Sequence, residues 1–176
     1  MGKTLLLTGY PGIGKTTIIR QVAEVLGDQA GGFYTEEISG AGGRKGFRLI
    51  TLAGKEVIMA HKDLRGPKVP CVGRYGVDLE ALDGVGVAAL RRAMQAGKII
   101  IVDEIGKMEL FSRAFRDTVM LAVMGPSPVI GTITLKPHPE GDVFKALAQV
   151  TLWEINQRNR DALPDKVLAW VREGKR

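Results

Sequence analysis

The chain has 176 residues, 45% of them apolar and 25% charged, with a mean hydropathy of +0.04, which suits one ordinary hydrophobic core and excludes a disordered or fibrous chain. No apolar run approaches the roughly 18 residues of a membrane span, the opening stretch is too short for a signal peptide, and Leu6 stands where a myristoylation signal needs Ser or Thr. A soluble, cytoplasmic protein with no membrane partner is therefore expected. Twenty-five Lys and Arg against 19 Asp and Glu give a net charge of +6 and a pI near 9.6, which favours polyanionic ligands.

The basic residues are spread as pairs (Arg44 with Lys45, Arg91 with Arg92, Arg158 with Arg160) and lack interleaved aromatics, so a nucleic-acid surface is an open reading but not the favoured one. Cys71 is the single cysteine, and with only His61 and His138 beside it no disulfide or structural zinc spacing exists.

In chain order, Leu5-Leu6-Leu7 before Thr8-Gly9 reads as a buried strand, and Ile18, Ile19, Val22 and Leu26 keep helical spacing up to Gly27. Residues 31–60 alternate β-favouring stretches at Gly32 to Thr35, Phe47 to Leu52 and Val57 to Met59 with a glycine-rich turn from Gly40 to Gly46, the pattern of a β-hairpin insertion. Lys62 to Val77, with Pro67 and Pro70, reads mostly as loop. A helix is expected from Val85 to Ala96. Ile99 to Val102 is a continuous apolar run ending in Asp103, as in a strand buried on both faces.

Met108, Phe111, Phe115 and Ala122 recur at helical spacing. Pro128 to Thr134 and Val150 to Trp153 read as further core strands, and Pro164 to Arg172 as a last helix with its proline in the first turn. Strands alternating with helices predict an α/β fold with a mostly parallel central sheet and an antiparallel hairpin extension. With no linker or repeat, residues 1–176 read as one domain.

Gly9-Tyr10-Pro11-Gly12-Ile13-Gly14-Lys15-Thr16 fits the eight-residue phosphate-loop pattern, for which a chain of this composition predicts only about 0.015 chance matches. The loop leaves an apolar strand and enters a helix, so its backbone N–H groups can turn onto phosphate oxygens, with Thr8 and Thr17 flanking it. Lys15 then supplies charge to the β and γ phosphates, and the Thr16 hydroxyl is a ligand for Mg²⁺. Asp103 is the candidate second metal-holding acid. Glu104 follows directly, where many ATPases keep the carboxylate that orients and deprotonates water; a strand-end cap and a surface ion pair are the competing readings for the two acids.

These residues carry a resemblance over nearly the whole chain. Thr8 to Thr16, Gly32-Phe33-Tyr34-Thr35-Glu36-Glu37, Gly46-Phe47, Val72-Gly73-Arg74-Tyr75 with Val77-Asp78, Val102-Asp103-Glu104-Ile105-Gly106-Lys107-Met108-Glu109-Leu110, Gly131-Thr132-Ile133, and Asn159-Arg160 with Leu163-Pro164 resemble the thermophile-type and cancer-related nucleoside-triphosphatase family. The resemblance implies a P-loop NTPase with a RecA-like three-layer sandwich that hydrolyses ribo- and deoxyribonucleoside triphosphates (ATP, GTP, CTP, UTP, dTTP) with little base preference.

Further candidates are Lys107 as a charge stabiliser over the γ-phosphate, Arg113, Arg158 and Arg160 as an internal arginine finger, and Thr132 as a γ-phosphate sensor. Thr35, Glu36 and Glu37 are candidates for the γ-phosphate side. Each has a bland alternative: a solvated lysine, surface arginines, or strand residues with alternating exposure. No arginine stands at an obvious finger position, so turnover is expected to be slow. A small-molecule or nucleotide kinase using residues 31–77 as an acceptor pocket, and a nucleic-acid-associated ATPase switch, are the competing functions. The guanine-reading Asn-Lys-x-Asp pattern is absent from the chain. The oligomeric state is not legible.

Overall fold

Apolar runs punctuated by glycine build the centre of the molecule. In the computed structural model, which describes residues 2–173, β1 (Thr4–Thr8) passes through a glycine loop into α1 (Lys15–Leu26), followed by β2 (Ala30–Gly40), β3 (Gly43–Thr51) and β4 (Glu56–His61). The short strands β5 (Cys71–Val72) and β6 (Tyr75–Val77) come next. α2 (Leu79–Ala81) continues through a π-helical segment, Leu82–Val87, into α3 (Ala88–Gln95) and then β7 (Ile99–Ile105). A 3₁₀ turn at Glu109–Phe111, α4 (Arg113–Met124), β8 (Val129–Ile133), α5 (Pro139–Lys145), β9 (Val150–Glu154) and α6 (Leu163–Glu173) complete the chain. Met1 and residues 174–176, the ends of the range read as one domain, lie outside the described residues.

The strands form a single sheet in the order β5-β6-β4-β3-β2-β7-β8-β1-β9. From β2 to β9 the neighbours are parallel; from β2 to β5 they are antiparallel. β2 belongs to both parts. Its start, Ala30 to Phe33, pairs in parallel with Ile99 to Val102, and from Phe33 onward it pairs antiparallel with β3.

Side chains alternate across the strands, so each apolar run feeds two cores. Leu5, Leu7, Ile99 and Ile101 face α1 and α6, against Ile18, Ile19, Val22, Val167, Leu168 and Val171. Leu6, Ile100 and Val102 face the other side, against Leu82, Leu90, Phe115 and Val119. The result is the expected three-layer arrangement, with the parallel strands buried on both faces. Each large side chain so buried stabilises the fold by roughly 1.5–3 kcal/mol. No helix among the described residues is long and apolar enough to cross a membrane.

Four local departures from the expected elements have physical causes. Residues 62–77, expected as loop, contain the β5–β6 hairpin, whose strands of two and three residues are too short to show an alternation. The helix expected from Val85 starts at Leu79, capped by the Asp78 side chain accepting the Ala81 N–H at 2.9 Å; the π-helical segment with Gly84 and Gly86 breaks the 3.6-residue period. The helical spacing from Met108 to Ala122 is split at Ser112, whose Oγ accepts the Phe115 N–H at 3.0 Å and starts α4. α5 went unread because its seven residues follow Pro137 and open on Pro139.

Gly32 is where β2 meets β7 most closely. Its φ is +119°, and a Cβ there would lie 2.0 Å from the Ile101 carbonyl oxygen. Gly32→Ala combines left-handed strain with a backbone collision, so it should destabilise the protein by about 3 kcal/mol or more. That corresponds to a fall in Tm of roughly 6–12 °C for a chain of this size. Denaturant and thermal unfolding measure it; a loss below about 1 kcal/mol, the cost of an ordinary substitution, would mean that the β2–β7 contact is looser than described.

Candidate functional site

The loop between β1 and α1 needs glycine for its backbone. Gly12 and Gly14 have φ of +79° and +111°, with open space around the position of a Cβ at either. α1 then starts without a side-chain cap and without an acid in its first turn, which leaves its first N–H groups and the positive end of the helix dipole available to an anion. The Lys15 Nζ lies folded against the same loop, donating to the Gly9 carbonyl at 2.8 Å and the Tyr10 carbonyl at 3.3 Å. Thr8 is buried behind the loop, its hydroxyl donating to the Ile133 carbonyl at 3.0 Å. Tyr10 projects into solvent, 70% exposed.

Asp103 ends the apolar run of β7 and is fully buried. Its Oδ2 accepts the Thr16 hydroxyl at 2.9 Å and the Thr35 N–H at 3.3 Å, and its Oδ1 accepts the Thr132 hydroxyl at 2.6 Å. Four elements, α1, β2, β7 and β8, thus meet on one carboxyl. Burial pushes its pKa up, against the opposing hydrogen bonds from Thr132, Thr16 and Thr35 and the Lys15 charge. The Asp103–Glu104 peptide is cis, and the β7–β8 register shifts between Val102 and Ile105. Glu104 is raised by burial and by the neighbouring Asp103 carboxyl, with Lys15 pulling the other way. Glu109 is raised well above the ordinary glutamate range, by burial first and by Glu104 second.

A cavity of about 630 Å³ opens over these groups. The glycine loop, Lys15, Thr16 and Thr17 form one wall; Thr35, Glu36 and Glu37 of β2 form another; Glu104, Lys107 and Glu109 form a third. A larger cavity of about 880 Å³ lies between the end of α1, the start of β2, the β3–β4 turn and α3, and contains none of the phosphate-loop residues. The smaller one holds the chemistry, because convergent charged groups and a free helix terminus, not volume, define a site.

The cavity brings together Gly12, Gly14, Lys15, Thr16, Thr17, Glu37, Glu104 and Lys107, with Asp103 directly beneath. Thr132 does not line it. That residue, expected as a γ-phosphate sensor, is fully buried, and its hydroxyl donates to the Asp103 carboxyl. The three finger candidates also lie away from this cavity. Arg113 lies out on α4, its side chain 86% exposed and 3.5 Å from Asp117; Arg160 pairs with Asp161 at 3.7 Å; neither these nor Arg158 lines the cavity.

The arginines that do line it are Arg20 and Arg44. Arg20 sits one helical turn after Thr16, pairs with Glu36 at 3.1 Å and lies over the Tyr34 ring. Arg44 comes from β3, pairs with Glu37 at 2.5 Å and lies over the Phe47 ring. The four-residue spacing from Thr16 was the available signal for Arg20. Arg44 required the β2–β3 register, and Glu109 required knowing how the chain folds back after Gly106.

The donor set suits a hard divalent cation. Thr16 Oγ1 and Asp103 Oδ2 are adjacent oxygens in reach of the loop, and among the described residues no cluster of three or more His, Cys, Asp or Glu side chains competes as an all-protein cage. Mg²⁺ sites of nucleotide-binding proteins in general use one or two protein oxygens together with substrate phosphates and water.

The family model described as NTPase matches residues 4–168. The nucleoside-triphosphatase THEP1 of Thermotoga maritima is 44% identical over 165 residues, covering 94% of this chain and 93% of that protein. The Aquifex aeolicus THEP1 is 38% identical over 174 residues, covering 94% and 97%. Its crystal structure superposes with a TM-score of 0.87 over 96% of this chain and 98% of that one, at 37% identity. The solution structure of a human cancer-related nucleoside triphosphatase gives 0.82 over 99% and 100%, at 32% identity. The sheet, the glycine loop and the buried acid described above therefore lie in a P-loop NTPase fold, and the chain belongs to the NTPase family that includes these proteins.

Proposed function

We propose that the protein is a Mg²⁺-dependent nucleoside-triphosphate hydrolase with low base selectivity. The observation that carries this reading is the convergence of Lys15, Thr16, Asp103 and Glu104 on one cavity at the free amino end of α1. The N–H groups of the loop and of the first turn of α1 hold the β and γ phosphates, and Lys15 leaves its Gly9 and Tyr10 carbonyls to neutralise them. Thr16 and Asp103 would hold Mg²⁺, with Thr132 and the Thr35 N–H fixing the carboxyl in place. Bound Mg²⁺ supplies charge stabilisation on the β- and γ-phosphate oxygens.

Glu104 orients a water toward the γ-phosphorus and takes its proton as the P–O bond to the diphosphate breaks. A carboxylate raised toward neutrality is a stronger base than a solvated one. Arg20 and Arg44 are the cations within reach of the transferred group, each held back by a glutamate, and Lys107 is a third. The outer cavity, lined by Phe47, Met59 and Val72, favours a second reading as a phosphotransferase. Phosphate release from ATP with no acceptor present decides for hydrolysis.

Lys15→Ala should abolish both triphosphate affinity and turnover while leaving thermal stability near wild type. Thr16→Ala should bind nucleotide yet need more Mg²⁺, with activity partly recovered as Mg²⁺ is raised. A Mg²⁺ titration of phosphate release checks both, and Thr16→Ala activity that ignores Mg²⁺ would remove Thr16 from the metal shell.

Glu104→Gln keeps the shape and removes the base. Nucleotide binding should persist while turnover falls at least about 10²-fold. Isothermal titration paired with single-turnover hydrolysis separates the two effects; near wild-type turnover would exclude Glu104 as the base.

No buried polar set capable of rejecting a base by more than about 10²-fold lines the phosphate-loop cavity among the described residues. The turnover numbers for ATP, GTP, CTP, UTP and dTTP should therefore fall within about tenfold of one another. Unassisted rates should lie near 10⁻² s⁻¹, the order for a P-loop enzyme with its arginine in cis. A thousandfold preference for one nucleotide in kcat/KM would reject the broad-specificity reading.

A further inference from the structure

Glu109 is an unusual residue to bury. It is 5% exposed, it has no ion-pair partner among the described residues, and it lines the same cavity as Lys15 and Glu104. The 3₁₀ turn that carries it is closed without its side chain: the Leu110 N–H donates to the Gly106 carbonyl at 2.9 Å, the Ser112 N–H to the Glu109 carbonyl at 3.0 Å, and Arg116 to the Leu110 carbonyl at 2.6 Å. An apolar side chain would serve that turn at lower cost, since a buried carboxyl is expensive unless its position is used.

The neighbour that explains it is Glu104. A methyl group built on Gly106 would lie 3.1 Å from Glu109 Oε2 and 3.2 Å from both Cδ and Oε1 of Glu104. The two carboxyls therefore converge over the same α-carbon, in space that only a glycine leaves open. The backbone at Glu109 and Gly106 opposes the upward push of burial on the Glu109 carboxyl.

We propose that Glu109 is a positioning residue for hydrolysis, packing and hydrogen-bonding against the Glu104 carboxyl across Gly106 so that Glu104 presents its free oxygen to the attacking water. The inference rests on the hydrolase reading, with Glu104 as base. Burial and the adjacent Glu104 favour the protonated form of Glu109, which gives it a hydrogen to donate and keeps two negative charges from repelling across the glycine. Glu109 acts through Glu104 and makes no contribution to nucleotide affinity.

Single-turnover hydrolysis and nucleotide binding of Glu109→Leu, Glu109→Gln and Gly106→Ala, each made in the wild-type and the Glu104→Gln background, test this. Glu109→Leu should lower turnover about 10- to 100-fold, as loss of a supporting shell does, with nucleotide Kd unchanged within about twofold. Glu109→Gln keeps the shape and a donor hydrogen, and should recover turnover to within about threefold of wild type. In the Glu104→Gln background, Glu109→Leu should cost less than about twofold, because there is no base left to position. Should Glu109→Leu fail to fold, Gly106→Ala carries the test by wedging a methyl between the carboxyls, and it should show the same loss and the same dependence on Glu104.

Wild-type turnover in the folded Glu109→Leu or Gly106→Ala protein would overturn the proposal, as would an equal loss in both backgrounds or no recovery by Gln. The drop from wild type to Glu104→Gln is read separately and reports on the hydrolase reading alone.

Discussion

One fully buried carboxyl holds the architecture and the chemistry together. Asp103 takes hydrogen bonds from the first turn of α1, from the backbone of β2 and from a threonine of β8, while itself ending β7. A buried carboxylate without donors would be costly by several kcal/mol; with three donors it becomes a fixed point to which the phosphate loop, the start of the hairpin and the centre of the sheet are tied. Both cores depend on the same strand, because Ile99 and Ile101 close one face and Ile100 and Val102 the other. The position of the carboxyl proposed to hold the metal is thereby set by packing on both sides of the sheet, which is the rigidity that an electrostatic catalyst requires.

The cations of the site are arranged differently. Lys15 is held by backbone carbonyls of its own loop, whereas Arg20 and Arg44 are held by Glu36 and Glu37, consecutive residues of β2. On a strand, successive side chains point to opposite faces, so one glutamate reaches α1 and the other reaches β3. These pairs are partly solvent-exposed and stabilise the fold little. Their consequence is local: positive charge is stored at the rim of the cavity in a neutralised form, available to a triphosphate that offers more negative charge than a single glutamate.

Much of this was legible in the chain because the physics is local. The glycine loop, the apolar run into Asp103 and the helical spacing of Ile18, Ile19, Val22 and Leu26 each sit within one stretch of residues, and the elements follow from periodicity and turn chemistry. Thr132 was singled out in the chain, and its neighbour in the fold is Asp103. Its place in a strand beside β7 was readable, but whether its hydroxyl faces the cavity or Asp103 depends on register. Arg113, Arg158 and Arg160 lie away from the phosphate-loop cavity, since charge and proximity in sequence do not say which side of a helix or loop faces it. Arg44 and Glu109 were missed because each is brought in by a fold-back, one by the pairing of β2 with β3 and the other by a 3₁₀ turn around a glycine.

β2 is paired with β7 at its start and with β3 along the rest of its length, and its register with β3 shifts between Ile38 and Ser39. Thr35, Glu36 and Glu37 lie on the core side of that irregularity, and the turn at Ala41 and Gly42 lies beyond it. The irregularity interrupts the ladder and bends the strand locally, which sets the turn apart from the stretch that borders the cavity. A distortion at the exposed hairpin end therefore stops short of the wall facing the triphosphate, where the Thr35 N–H stays bonded to Asp103.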